Sequence, residues 1–118
     1  MNVSEFLDRY YLHDSTIRHI SYDKKSQELI FNVDFSFWMQ DWFDQNHFNN
    51  GMVNIRFSSV QDYDGLTGEI DWFSFLNVYG NKDGSMTMII LDDFNNVHYV
   101  WTFTPSSITF EDLLERTD

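Results

Sequence analysis

The chain has 118 residues and a mass of 14.2 kDa, enough for one domain around one core. Its 19 Asp and Glu against 7 Lys and Arg give a formal charge of −12, and a field of that sign repels phosphate backbones and anionic lipid while attracting a basic partner. Cysteine is absent, which excludes disulfides, thiolate metal sites and a Cys nucleophile and suits a reducing cytosol.

The opening MNVSEFLDRYYLHD has neither a basic n-region nor an apolar h-region, so no signal peptide is expected, and no apolar run approaches the roughly 20 residues that span a bilayer. A cytoplasmic protein is the expectation. Residues 3–12 carry Val3, Phe6, Leu7, Tyr10 and Tyr11 at helical spacing, with Ser4 as the expected N-cap, and predict a short helix packed on a sheet. His13, Asp14 and Ser15 form a polar junction into a strand at 16–22, where Ile17 and Ile20 break strict alternation and point to a bulge. A tight turn at 23–27, DKKSQ, leads into the most regular stretch of the chain.

In 29–39, LIFNVDFSFWM, the residues Leu29, Phe31, Val33, Phe35 and Phe37 fall on one face and Ile30, Asn32, Asp34, Ser36 and Trp38 on the other. That spacing predicts a long strand in mid-sheet, covered fully on one side and partly on the other. Alternation stops at 40–50, QDWFDQNHFNN, an irregular loop closed by the turn signal Asn49-Asn50-Gly51. It resumes at 52–60, where Val53, Ile55 and Phe57 oppose Asn54, Arg56 and Ser58.

A glycine-punctuated loop at 61–68 precedes a strand at 69–79, with Ile70, Trp72, Leu76 and Val78 expected in phase on one side and Phe73, Phe75 and Tyr79 on the other. Turn residues at 81–84 join it to a strand at 86–91, and a turn at 92–96 leads to Val97, Tyr99, Trp101 and Phe103 alternating with His98, Val100, Thr102 and Thr104. Pro105 ends that strand. Residues 107–114 fit a strand or a helical turn, and a short strand ending near Phe110 is favoured. The fold predicted is a single domain over 1–118, mainly β with an α+β character: a twisted antiparallel meander of about six or seven strands, half-barrel or sandwich, with a short N-terminal helix.

His13, Asp14 and Ser15 have the three side-chain types of a hydrolase triad, but a triad needs the imidazole between the other two in space, which sequence neighbours rarely achieve. A structural junction, with Asp14 and Ser15 satisfying backbone N–H groups, is the expected use. In 60–71 the spacing of Asp62, Asp64, Gly65 and Asp71 comes near a calcium loop, yet the first ligand position is Val60, which offers no side-chain oxygen. His19, His47 and His98 lack zinc-site spacing and no glycine-rich phosphate loop is present, so no metal or cofactor is implied.

Trp38, Trp42, Phe43 and Phe48 lie among polar residues with Asp41 and Asp44, a mixture that fits either an interface of aromatic anchors ringed by charge or a satellite core under the loop. From Phe57 to Glu111 the only basic residue is Lys82, so aromatics in an acidic setting suit recognition of a basic protein.

The run Leu12-His13-Asp14-Ser15-x-Ile17, followed by Leu29-x-Phe31-x-Val33-Asp34-Phe35-x-x-Trp38-Met39-Gln40, resembles a group of small bacterial proteins with an LHDS start and a DFxxWMQ strand. Some similar members are regarded as polymorphic-toxin immunity proteins of the Imm50-like kind. The resemblance is strongest over 12–40, continues in order through Trp101 and Ile108-Thr109-Phe110, and brings no catalytic residues. It implies an immunity-type inhibitor, which with the net charge becomes a non-catalytic, acidic protein covering a basic toxin; the alternatives are a small-ligand or cation-binding domain using the loop from Asp62 to Asp71 and, least favoured because no nucleophile with its base can be assembled by spacing, an enzyme.

Overall fold

The computed structural model describes residues 1–116. A helix, α1 (Val3–Arg9), is followed by seven strands: β1 (Thr16–Asp23), β2 (Glu28–Ser36), β3 (Asn50–Ser58), β4 (Gly68–Gly80), β5 (Met86–Asp92), β6 (Val97–Phe103) and β7 (Ser107–Arg116). All pairings are antiparallel, in one open sheet of order β6-β5-β4-β1-β2-β3-β7. Two three-stranded meanders, β1-β2-β3 and β4-β5-β6, are thus joined side by side through β1 and β4, and β7 adds to β3.

The connectivity forces the sheet to curl. β6 and β7 are its two edges, yet only residues 104–106 join them. Four extended steps from Phe103 to Ser107 reach about 14 Å, whereas seven flat strands about 4.8 Å apart would hold the edges roughly 29 Å apart. Aromatic contacts across the hollow fit this: Phe57 of β3 meets Phe103 of β6 at 5.3 Å between ring centroids, and Phe31 of β2 meets Trp101 of β6 at 6.3 Å.

The concave face is the core. Leu29, Phe31, Val33 and Phe35 of β2, Val53, Ile55 and Phe57 of β3 and Phe75 of β4 are fully buried there. Helix α1 covers part of this face, with Phe6 against Phe57 and Tyr10 stacked on Phe110 at 4.0 Å. Its path runs close over the end of β4, where a Cβ on Gly80 would lie 3.3 Å from Val3 Cγ1.

Several boundaries and phases differ from the sequence reading. The N-cap is Asn2 and not Ser4: the Asn2 side chain accepts the Glu5 N–H at 2.8 Å while the Glu5 carboxylate accepts the Asn2 N–H at 2.9 Å, a reciprocal capping box. β2 ends at Ser36, and Phe37–Met39 form a 3-10 turn that keeps Phe37 buried and swings Trp38 outward. β7 runs on to Arg116, well past Phe110.

β4 does not hold one phase. Between Ile17↔Phe73 and His19↔Glu69 the single residue Arg18 faces Ile70, Asp71 and Trp72, and a second register shift falls at Leu76. Trp72 therefore sits at φ 68° and 66 % exposed, not in the core row with Ile70 and Val78.

Candidate functional site

The loop between β2 and β3 carries the predicted contact residues, and its base is clamped. Gln40 is buried, and its side-chain Oε1 accepts the Tyr11 N–H at 2.7 Å while Nε2 donates to the carbonyls of Tyr11 at 2.8 Å and Ser36 at 3.0 Å. At the other end the Trp38 N–H donates to the Asn49 carbonyl at 3.1 Å, closing the loop on itself. Inside it, the Asp44 carboxylate accepts the Asn46 N–H and the Asp44 carbonyl accepts the His47 N–H, the local bonds of an Asx turn.

With the base fixed, the aromatic side chains divide. Phe43 turns inward onto the core and His47 packs on the buried Phe37 ring at 4.6 Å, so these two are part of the support. Trp38 is 54 %, Phe48 51 % and Trp42 37 % exposed. Trp42 is tethered to the helix end, its Nε1–H donating to the Arg9 carbonyl at 2.8 Å while the Arg9 guanidinium lies 5.8 Å from its ring centroid. Asp41 and Asp44 are exposed beside them. A depression of about 290 Å³ separates the helix end from the loop and is lined by Leu7, Asp8, Tyr11, Met39 and Asp41. Exposed rings on a pinned base, rimmed by carboxylates, form a surface able to bury aromatic area against a partner at little ordering cost.

His13, Asp14 and Ser15 lie at the joint below this loop. Ser15 is fully buried, and its Oγ accepts the Ser36 N–H at 2.9 Å, while its carbonyl accepts the Phe75 N–H at 3.1 Å. One residue thus ties β2 to β4 at the point where β1 begins. Asp14, at φ 65°, donates its N–H to the Phe75 carbonyl at 2.9 Å, and His13 Nδ1–H donates to the Leu76 carbonyl at 2.7 Å, holding the second bulge of β4. The Asp14 carboxylate, expected to satisfy a backbone N–H, instead faces solvent 3.4 Å from the His13 ring, so Asp14 serves the joint through its main chain alone. Ser15 Oγ is bonded to the Ser36 N–H, hydrogen-bonds neither His13 nor Asp14 and is sealed from solvent, so this arrangement serves the joint and does not form a triad.

The loop at 61–67 holds its acidic residues differently. Among the described residues no three His, Cys, Asp or Glu side chains converge as a cation cage. The loop is organised instead by Tyr63, whose ring meets Tyr22 at 5.4 Å and Trp101 at 5.5 Å and whose hydroxyl donates to the Leu66 carbonyl at 2.8 Å. Burial, with Asp64 beside it, pushes the Tyr63 hydroxyl above its ordinary ionisation range. Gly65 is required by close approach, since a Cβ there would lie 2.7 Å from Trp101 Cε2 and 2.6 Å from the Tyr63 oxygen.

Sequence reasoning missed one exposed group. Trp72 on its bulge lines a cleft of about 470 Å³ with Thr16, Arg18, Asp71 and Asp93, next to Phe94, which is 77 % exposed on the β5–β6 turn. The Asp93 N–H donates to the Trp72 carbonyl at 2.7 Å, which fixes turn and bulge together. An in-phase tryptophan in a strand-like stretch gave no signal that the chain would bulge there.

No helix among the described residues is long and apolar enough to cross a membrane. Comparison of the chain with family models, with curated proteins and with solved structures yields no significant match.

Proposed function

We propose that the chain is an acidic, non-catalytic binding protein that acts as an immunity-type inhibitor, covering a basic toxin partner with the β2–β3 loop. The observation that carries the reading is the exposure of Trp38, Trp42 and Phe48 on a loop whose base is fixed by Gln40, with Asp41 and Asp44 beside them. Rigid aromatic anchors of this kind supply most of the binding energy at protein interfaces, while the net charge of −12 steers a cationic partner into contact. The resemblance of residues 12–40 to toxin-immunity proteins supports the same reading.

The test is association with purified basic toxin domains taken as candidate partners. Stopped-flow rates should fall by roughly tenfold or more between low and high salt, and combining Trp38→Ala with Phe48→Ala should weaken binding by about 100-fold. A salt-independent rate would remove the electrostatic half of the proposal, and an unchanged affinity in the double variant would remove the aromatic half.

A further inference from the structure

The two edges of the sheet are built differently. β7 is guarded: Met1 pairs with Ile108 through both backbone groups at 2.7 and 2.9 Å, its ladder with β3 is shifted between Gly51 and Val53, Leu114 adopts φ 64°, and Glu111, Asp112 and Glu115 place carboxylates along it. These are the features that keep a strand edge from pairing with another chain.

β6 has none of them. Its seven residues, VHYVWTF, contain no Lys, Arg, Asp, Glu or Pro, and its pairing with β5 runs from Met86↔Phe103 to Asp92↔Val97 without a shift. It ends the sheet, and no backbone hydrogen bond joins its far side to any other described residue. Valine, threonine and aromatic residues in regular alternation make this a ready template for another strand.

Space and charge lie beside it. Two clefts of about 190 and 300 Å³ share Gln61, Thr102 and Phe103 and run between the C-terminal half of β6 and the loop at 59–64. The loop wall carries Asp62 and Asp64, both exposed. A segment entering here meets free backbone groups on one side and carboxylates on the other.

We propose that β6 is a docking edge for an extended polypeptide segment rich in lysine or arginine, which adds to the sheet as an eighth strand alongside the 59–64 loop. Main-chain pairing supplies the affinity, and Asp62 and Asp64 select the positive side chains. The repulsion between two chains of −12 each disfavours a second copy as the occupant. The surface is separate from the aromatic loop, which follows β2, and its occupancy does not depend on that loop's role.

The experiment uses the full chain, isotope-labelled for NMR, and three seven-residue probes: a peptide alternating lysine and valine, the same peptide N-methylated at every amide so that neither of its edges can donate to a ladder, and its counterpart with glutamate for lysine. The lysine peptide should shift and protect the amides of Val97–Phe103, and both other probes should bind at least about tenfold more weakly. Asp62→Asn with Asp64→Asn should weaken the lysine peptide about fivefold at an unchanged melting temperature, while Trp38→Ala with Phe48→Ala should leave it unaffected. Equal binding of the N-methylated probe, shifts confined to residues outside β6, or no binding at about 1 mM peptide would overturn strand addition. Equal binding of the glutamate probe would overturn the basic occupant, as would a dimer in sedimentation with β6 as its contact.

Discussion

Gln40→Ala is the substitution that separates a clamped loop from a merely collapsed one. The Gln40 amide serves the Tyr11 N–H and the carbonyls of Tyr11 and Ser36, and Gln40 itself is 5 % exposed. Removing it strands the Tyr11 donor and one buried carbonyl, at Ser36. A buried polar group left without its partner costs about 1–3 kcal/mol. Water reaches exposed Tyr11 more readily than Ser36, so the combined loss should be about 3 kcal/mol and not the full sum. With an unfolding entropy of about 2.1 cal/mol/K per residue, 118 residues give about 0.25 kcal/mol/K, and the melting temperature should fall by about 12 °C.

Urea unfolding followed by Trp fluorescence gives the free energy directly. Gln40→Glu sharpens the test, because it keeps an acceptor for the Tyr11 N–H but turns a carboxylate toward two carbonyl oxygens. That environment raises the new carboxyl's folded-state pKa above its unfolded value, so its penalty is present at neutral pH and shrinks on acidification as the protonated acid donates again. A loss below about 1 kcal/mol for Gln40→Ala with an unchanged denaturant slope, or a Gln40→Glu deficit that does not shrink with falling pH, would show that the amide does not hold the loop.

Three further outcomes follow from other parts of the molecule. Gly65→Ala forces a methyl to within 2.7 Å of Trp101 and 2.6 Å of the Tyr63 oxygen; it should destabilise by about 1–3 kcal/mol and perturb near-ultraviolet circular dichroism, and a neutral result would mean the loop lifts freely off β6. At Trp72, whose φ is 68°, Trp72→Gly should be more stable than Trp72→Val by about 1 kcal/mol in urea unfolding, the reverse of strand propensity, because a β-branched residue is strained at positive φ. The Asp92 carboxylate is held below its ordinary value of 3.8 by the Asn95 side-chain amide first and then by the backbone N–H groups of Asn95 and Phe94, against the opposing effect of burial. The stability this adds is present above that value and lost as the pH falls through the lower folded one, so an acid titration of Asp92→Asn should lose less stability than wild type on going below about pH 4.

What the sequence made legible was the set of contacts with a fixed local period. The inner rows of β2 and β3 were readable because their alternation is unbroken from Leu29 to Phe35 and from Val53 to Phe57. Trp72 was not readable, since a bulge of three residues against one is set by where β1 pairs with β4 and leaves no mark on the spacing within β4. The β2–β3 loop was legible as a mixture of rings and carboxylates, but not the division within it, because the 3-10 turn that buries Phe37 and exposes Trp38 depends on bonds to distant backbone. The open edge at β6 was hidden for the same reason: strand order, not composition, decides which uncharged strand lacks a neighbour.

The LHDS and WMQ segments illustrate the difference between a recognisable motif and a functional one. Ser15 bonds the Ser36 N–H and Gln40 bonds both backbone groups of Tyr11, so the two segments hold each other across 21 and 29 residues of sequence. His13 and Asp14 grip the backbone of β4 from the same joint. The side chains of His13, Ser15 and Gln40 are spent on backbone groups that helix and sheet leave unpaired where they meet, and Asp14 contributes its own N–H. A pattern made of such residues specifies how the loop is mounted and is silent on what the loop touches. Trp38, Asp41, Trp42, Asp44 and Phe48, projecting from that mount, are free to differ between two chains that share the joint, and it is in those positions that a difference of partner would be written.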